Sequence, residues 1–173
     1  MFSLFGAPAL SQFRLDGLLR SLRSQDSRVT TLSSRWMHFI DAVQPLGPGE
    51  LRLLERLLTY GARDSAPNGD TPRSGHRVLV TPRVGTESPW SSKATDIVHV
   101  CGLDHVARVE RGCMYFMESS SVLSAGDLQK LAAYLHDRMT ESIWIDTAEP
   151  TQLFHAGPAR PLRRVDVRQR GSE

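Results

Sequence analysis

The run Thr81-Pro82-Arg83-Val84-Gly85-Thr86-Glu87-Ser88-Pro89-Trp90-Ser91-Ser92-Lys93-Ala94-Thr95-Asp96 gathers the groups best suited to chemistry. Ser88 followed by Pro89 reads as a helix cap and a first helical position. The first turn of a helix there exposes backbone N–H groups and the positive end of the helix dipole. Arg83, Gly85, Thr86, Ser88, Ser91, Ser92 and Lys93 add hydroxyl donors, two cations and a glycine, with Trp90 beside them. That is the composition of an anion or phosphate site, or of a polar loop that docks on another surface. The GxxxxGK[ST] spacing of a nucleotide loop is absent. The same residues also describe a well-capped helix after a polar loop, and from composition alone that plainer reading carries more weight. Trp90 heads an apolar stripe and reads as a core anchor.

Other chemistry is weaker. His99, Cys101 and His105 have a metal-like spacing, but helical periodicity turns Cys101 toward the core with Ile97 and Val98, and His99 elsewhere. No fourth ligand is evident, so no metal site is expected. His136-Asp137-Arg138 falls at a helix end, where His and Arg favour the negative pole. Arg108, Glu110 and Arg111 alternate with Val106 and Val109, as on a half-exposed strand. Cys101 and Cys113 form no CxxC pair and are expected reduced and buried. No catalytic constellation emerges, and no metal or cofactor is expected in this chain.

Four amphipathic helices must position these residues. The first follows Ser11 and buries Leu15, Leu18, Leu19 and Leu22. The second opens at Gly47-Pro48, carries Leu51, Leu54, Leu57 and Leu58, and stops at Gly61. The third opens at Ser88-Pro89, shows an apolar face of Trp90, Ala94, Ile97, Val98 and Cys101, and closes at Gly102. The fourth starts at Ser124, with Asp127 completing a capping-box-like pair, and buries Leu128, Leu131, Ala132 and Leu135. Strand-like runs separate them: Met1 to Phe5, the long segment Val29 to Ile40, Arg77 to Thr81, and the long segment Val106 to Glu118. Ser142 to Ile145 adds one more.

The landmarks recur at an offset of 77: Ser11 and Ser88, Val29 and Val106, Gly47 and Ser124, Met37 and Met114, Phe39 and Phe116. The pattern predicts an α+β fold built from a duplicated strand–helix–long strand–helix unit, with halves at about 1–61 and 76–141. The Gly/Pro/Ser/Asp/Asn-rich stretch 62–75 reads as the connecting loop. A sheet with helices on one face must cover its other face. Two such halves with antiparallel sheets and helices outside are therefore expected to bury sheet against sheet about a pseudo-two-fold axis. Gly112, inside the second long strand, suggests a bend or bulge. Residues 1–150 form the domain on this reading, and 151–173 a tail.

Composition narrows the class. The 173 residues are 40% hydrophobic and 23% charged, ordinary for a soluble domain. No stretch approaches the roughly 20 apolar residues of a membrane span. The N-terminus lacks the basic and apolar regions of a secretory leader, so a cytoplasmic protein is expected. The formal charge of +2 is uneven, because Arg160, Arg163, Arg164, Arg168 and Arg170 lie in the tail. From Pro158 onward the chain holds no aromatic residue to stack on bases, which argues for a solvated linker over nucleic-acid binding.

The run Thr81 to Ile97 closely resembles the corresponding run near the N-terminus of the long-chain phosphoribosylformylglycinamidine synthases (formylglycinamide ribonucleotide amidotransferases). Gly6-Ala7-Pro8-Ala9-Leu10-Ser11, Val109-Glu110-Arg111-Gly112 and Leu135-His136-Asp137-Arg138-Met139-Thr140-Glu141 resemble it too, in order along nearly the whole chain. Val84 stands where the family usually has proline, and Glu87 where it usually has a neutral residue; both bear on loop rigidity.

The resemblance implies a fold similar to a dimer of the small companion subunit of the multi-subunit enzyme. It implies a ligase of purine biosynthesis that uses ATP, magnesium and glutamine to convert formylglycinamide ribonucleotide to the amidine. In that family an ATP- and magnesium-dependent synthase region and a C-terminal glutaminase with a Cys–His–Glu centre follow the N-terminal domain. Pro161 to Gly171 resembles the start of the linker between domain and synthase region. The chain is therefore expected to be a non-catalytic structural and coupling domain whose partners are the synthase and glutaminase regions. The alternative is a phosphate- or nucleotide-binding module at Ser88–Lys93.

Overall fold

The computed structural model describes residues 1–60, 75–146, 150 and 152–155. The stretch at 61–74 and most of the arginine-rich tail, on which sequence expectations were placed, lie outside the described residues. Strands and helices alternate: β1 (Phe2–Pro8), α1 (Gln12–Gln25), β2 (Val29–Ala42), α2 (Pro48–Leu57), β3 (His76–Pro82), α3 (Pro89–Val100), β4 (Val106–Ser119), α4 (Ala125–Ala132) and β5 (Glu141–Ile145). The fold is α+β, with four helices on a five-stranded antiparallel sheet. No described helix is long and apolar enough to cross a membrane.

Local chemistry sets the helix starts. The Ser88 hydroxyl accepts the Ser91 N–H at 3.0 Å. Ser124 and Asp127 bond reciprocally, at 3.2 and 3.1 Å, the pattern that satisfies two orphan donors at once. At α2 the Glu50 carboxylate accepts the Gly47 N–H at 2.7 Å. Ser11 occupies the cap position of α1, but its side chain makes no cap bond.

The strands run β1-β2-β4-β3-β5 in a single sheet. The two 14-residue strands β2 and β4 pair along almost their full length at the centre, with Trp36 opposite Cys113. One face carries all four helices. Leu15 and Leu22 of α1 and Leu128, Leu131 and Ala132 of α4 pack with Leu32, Val78, Val80, Tyr115 and Met117 at one end. Leu54 and Leu58, in and just after α2, and Val98 of α3 pack with Ile40, Val106 and Val109 at the other.

The opposite face is buried as well, through Met37, Phe39, Leu79, Met114 and Phe116, with Leu153 against them. The Phe5 and Phe116 ring centroids lie 6.3 Å apart. Phe5 is opposite Met37, which is opposite Gly112, four residues before Phe116. In a flat sheet those side chains would sit roughly 16 Å apart, from strand spacing and rise per residue. The sheet therefore curls over this face. The two stacked sheets expected from the sequence are replaced by one continuous five-stranded sheet, because the long strands β2 and β4 pair with each other instead of separating.

Several expectations need correction. No bulge occurs at Gly112; the β2–β4 register shifts only near Val29/Thr31 and Asp41/Ala42. Glycine is required there for close approach, since a Cβ would lie 2.7 Å from the Val80 carbonyl oxygen. Cys101 is exposed and Cys113 half-buried. Ile97 is also exposed, at 48%. Helix α3 is rotated from the face its apolar residues suggest, because it covers the open edge of β4. Its Ser91 hydroxyl donates to the Val109 carbonyl at 2.6 Å, and its Thr95 hydroxyl accepts the Val109 N–H at 3.0 Å. Pairing those strand-edge groups outweighs burying one more apolar side chain.

Candidate functional site

Strand β3 ends where the chain must cross to α3, and the crossing loop is fixed by its own backbone. The Arg83 N–H donates to the Thr140 carbonyl at 2.9 Å, tying the loop to the segment before β5. The Thr86 N–H and hydroxyl both reach the Arg83 carbonyl, at 3.0 and 2.6 Å. Gly85, between them, has φ +79°, a conformation that favours glycine in this turn.

At the start of α3 the N-terminal donors already face a carboxylate of this chain. Glu110 is fully buried. It accepts the Ser88 hydroxyl at 2.7 Å and the Ser88 N–H at 3.3 Å. Arg108 pairs with it at 3.0 Å, which compensates the buried charge. The same guanidinium donates to Ser91 Oγ at 3.0 Å and to the Thr86 carbonyl at 2.8 Å. Arg108 thus fastens loop, helix start and strand at one point. Ser92 donates to the Glu87 carboxylate at 2.8 Å. Arg83 and Lys93 are exposed.

A second cluster lies beside it, at the centre of the helix-bearing face. The Arg111 guanidinium carbon sits 4.2 Å from the Trp36 ring centroid and 4.7 Å from that of Trp90. Two faces of π electrons hold one cation, an arrangement worth roughly 0.5–2 kcal/mol per contact. Arg111 Nη1 donates to the Tyr60 hydroxyl at 3.3 Å, and that hydroxyl meets His38 Nε2 at 2.7 Å. Burial, and secondarily the Arg111 charge, hold the His38 imidazole down at about 4. Burial raises the Tyr60 phenol above its ordinary value. A protonated Tyr60 can accept from Arg111 and donate to Nε2 of a neutral His38, which leaves the buried His38 Nδ1 without a hydrogen-bond partner among the described residues.

Between the α3 start and the segment from Leu135 to Glu141 runs an open groove of 690 Å³, floored by β4 from Glu110 to Cys113. Arg83, Thr86, Ser88 and Trp90 line it, whereas Ser91, Ser92 and Lys93 do not. Of the groups singled out in the sequence, the structure therefore brings four to one groove. Ser91 is buried against β4, Ser92 is engaged by Glu87, and Lys93 lines a smaller depression with Tyr60 and Ile97.

Glu110, Arg108, Arg111, Trp36, Tyr60 and His38 were not legible as a group. The alternation around Val109 marked the two arginines and Glu110 as half-exposed, yet Glu110 is inside. Charged residues in a strand flanked by Trp36 and Trp90 were the only available signal, and pairing across β2 and β4 was needed to use it.

The metal-like trio is dispersed. His99 Nε2 bonds the Val106 carbonyl at 2.7 Å, His105 lies 3.6 Å from Glu50, and Cys101 faces solvent. Among the described residues no three His, Cys, Asp or Glu side chains gather for a metal ion. His136 bonds the Ala132 carbonyl at the end of α4, as its position suggested. A family model described as "Formylglycinamide ribonucleotide amidotransferase N-terminal" matches residues 35–154, a span that contains both clusters and the groove lining apart from Leu10.

Proposed function

The chain belongs to the formylglycinamide ribonucleotide amidotransferase N-terminal family, and from that premise we propose that it is a structural and coupling domain, itself without catalysis. Its parent would be the ATP-, magnesium- and glutamine-dependent amidoligase that makes formylglycinamidine ribonucleotide in purine biosynthesis, in the cytoplasm. Its partners would be the synthase and glutaminase regions of that parent chain.

One observation carries the reading: the polar groups around the α3 start are bonded to one another. Ser88, Ser91, Arg108 and Glu110 interlock, and Arg111 is clasped between two indoles. Such an arrangement fixes the shape of a docking surface. The groove beside it, rimmed by Arg83, Glu87 and Met139, is where a synthase segment would seat.

The strand registers support an internally duplicated domain that mimics a dimer of a smaller subunit. Trp36 and Cys113, 77 positions apart, face each other at the centre of the β2–β4 ladder. Phe5 lies opposite Met37 as Leu79 lies opposite Met114. The first strands thus correspond at an offset of 74, so Ser3–Ala7, not Met1–Phe5, is the counterpart of Arg77–Thr81. The three extra residues fall in the Arg83–Glu87 loop, which distinguishes one half from the other.

The alternative, phosphate binding at Ser88–Lys93, must contend with the Glu110 and Glu87 carboxylates at that helix start. Co-expression with the remainder of the parent chain tests the docking reading. A 1:1 complex weakened by charge reversal at Arg83 is expected; calorimetric binding of the ribonucleotide to this chain alone, lost in Lys93→Ala, would favour the alternative.

A further inference from the structure

The sheet is symmetric about its centre except at its ends. Outward from β2 and β4 come β1 and β3; beyond β3 lies β5, and beyond β1 no described strand pairs. We infer that the open edge of β1 is an acceptor for an extended strand of a partner polypeptide, one with alternating apolar residues and acidic flanks.

Backbone geometry prepares the edge. The Val109 N–H and carbonyl point away from β2, toward Thr95 and Ser91. Val109 and Ile40 are therefore a non-hydrogen-bonded pair, and alternation along the ladders fixes the rest. Ile40 bonds Phe2, His38 bonds Leu4, and Ser3 and Phe5 turn their N–H and C=O groups outward. No backbone bond to either is found among the described residues. On the other side of the sheet Arg77 and Leu79 hold the corresponding places and are occupied. The Asp146 N–H donates to the Arg77 carbonyl at 2.8 Å, and Leu79 faces Trp144.

The occupied edge shows what the guest looks like. Strand β5 reads Glu-Ser-Ile-Trp-Ile and is followed by Asp146. Ile143 and Ile145 join the helix-side core, Trp144 joins the opposite face, and the Asp146 carboxylate accepts the Arg77 N–H at 3.0 Å. At the open edge a groove of 520 Å³ runs between Ser3–Phe5 and α2, with Leu58 on its wall. Arg52 and Arg56, one helical turn apart, line it and are exposed. Among the described residues neither forms an ion pair, and Glu55 is the one acidic side chain lining the groove. Two cations beside a strand acceptor select an acid-flanked guest, and two copies meeting edge to edge would bring four arginines together.

The test uses the 173-residue chain and a synthetic peptide of residues 140–147, Thr-Glu-Ser-Ile-Trp-Ile-Asp-Thr. Peptide binding is expected to slow amide exchange at Ser3 and Phe5 at least tenfold. Affinity is expected to fall at least tenfold in Arg52→Glu/Arg56→Glu and in Ser3→Pro. Proline at Ser3 removes only an outward N–H, which an edge strand tolerates. Should that variant unfold, peptides N-methylated on one edge and then the other keep the question open to measurement: methylation of one edge must abolish binding and of the other must not. Unchanged exchange at Ser3 and Phe5, binding indifferent to every one of these changes, or an edge filled by concentration-dependent self-association would overturn the inference.

Discussion

Replacing Gly112 by alanine adds a single methyl group at the point where β3, β4 and the α3 loop converge. Its Cβ would stand 2.7 Å from the Val80 carbonyl oxygen and 3.0 Å from Leu79 Cδ1 and Thr81 Cγ2. Two of those neighbours are side-chain methyls able to shift a few tenths of an ångström. The carbonyl belongs to a residue paired with Cys113 in the ladder and cannot. Overpacking of this kind costs about 1–3 kcal/mol. Alanine would recover roughly 0.5–1 kcal/mol of backbone entropy relative to glycine in a strand. With the carbonyl fixed the cost falls in the upper part of that range, so a net loss of about 1–2 kcal/mol follows, which in a domain of this size lowers the melting midpoint by roughly 2–8 °C. Urea denaturation followed by circular dichroism measures it, with Gly126→Ala as the control. Gly126 sits in α4 with nothing closer to its added Cβ than Ser124 Oγ at 3.8 Å, so that variant should gain about 0.5–1 kcal/mol. Equal stability of Gly112→Ala and the parent would refute the steric argument and return the position to the role of an ordinary strand residue.

Other outcomes follow from single environments. His38 is buried with its folded value down at about 4 against an ordinary 6.5, so the unfolded chain binds more protons between those values. Stability should therefore fall as pH drops from 6.5 toward 4, by up to about 2–3 kcal/mol, and His38→Gln should flatten that slope in denaturant midpoints measured across pH. Cys101 is exposed, whereas burial pushes the Cys113 thiol up to about 12; a maleimide at neutral pH should label Cys101 in the native chain and leave Cys113 until urea is added. Ser124→Ala removes one half of the α4 capping box and should cost about 1 kcal/mol, read as a shift in urea midpoint. Asp127, held at about 2 chiefly by Arg28, supports the native state above pH 4, and that support is lost as pH falls through its folded value.

Elements were legible where local chemistry decides them. Caps at Ser88 and Ser124, and the leucine stripes of α1 and α4, are readable because each depends on residues within one or two turns. The two long strands were legible as segments, but their pairing was not. Whether they join one curled sheet or two stacked ones depends on contacts across 77 positions. The α3 face was misread for the same reason: Ser91, buried, and Thr95, half-buried, turn inward to serve the Val109 backbone, a partner 14–18 residues away. At the site, the loop residues Arg83, Thr86, Ser88 and Trp90 could be named. What completes their surroundings could not, since Glu110, Arg108 and Arg111 come from β4, Trp36 and His38 from β2, and Tyr60 from beyond α2. Solvent-facing alternation around Val109 looked the same whether Glu110 pointed out to water or in toward Ser88.

The central claim is that this domain assembles and couples a larger amidoligase without catalysing a step. Glutamine hydrolysis by the purified 173-residue chain, followed as released ammonia with and without ATP, magnesium and formylglycinamide ribonucleotide, tests it most directly when paired with addition of the separately expressed remainder of the parent chain. The expected result is ammonia at the blank rate from the chain alone, and glutamine-dependent amidine formation that rises with added chain to a 1:1 endpoint. Ammonia release by the chain alone above the blank, or full activity of the remainder without it, would contradict the claim.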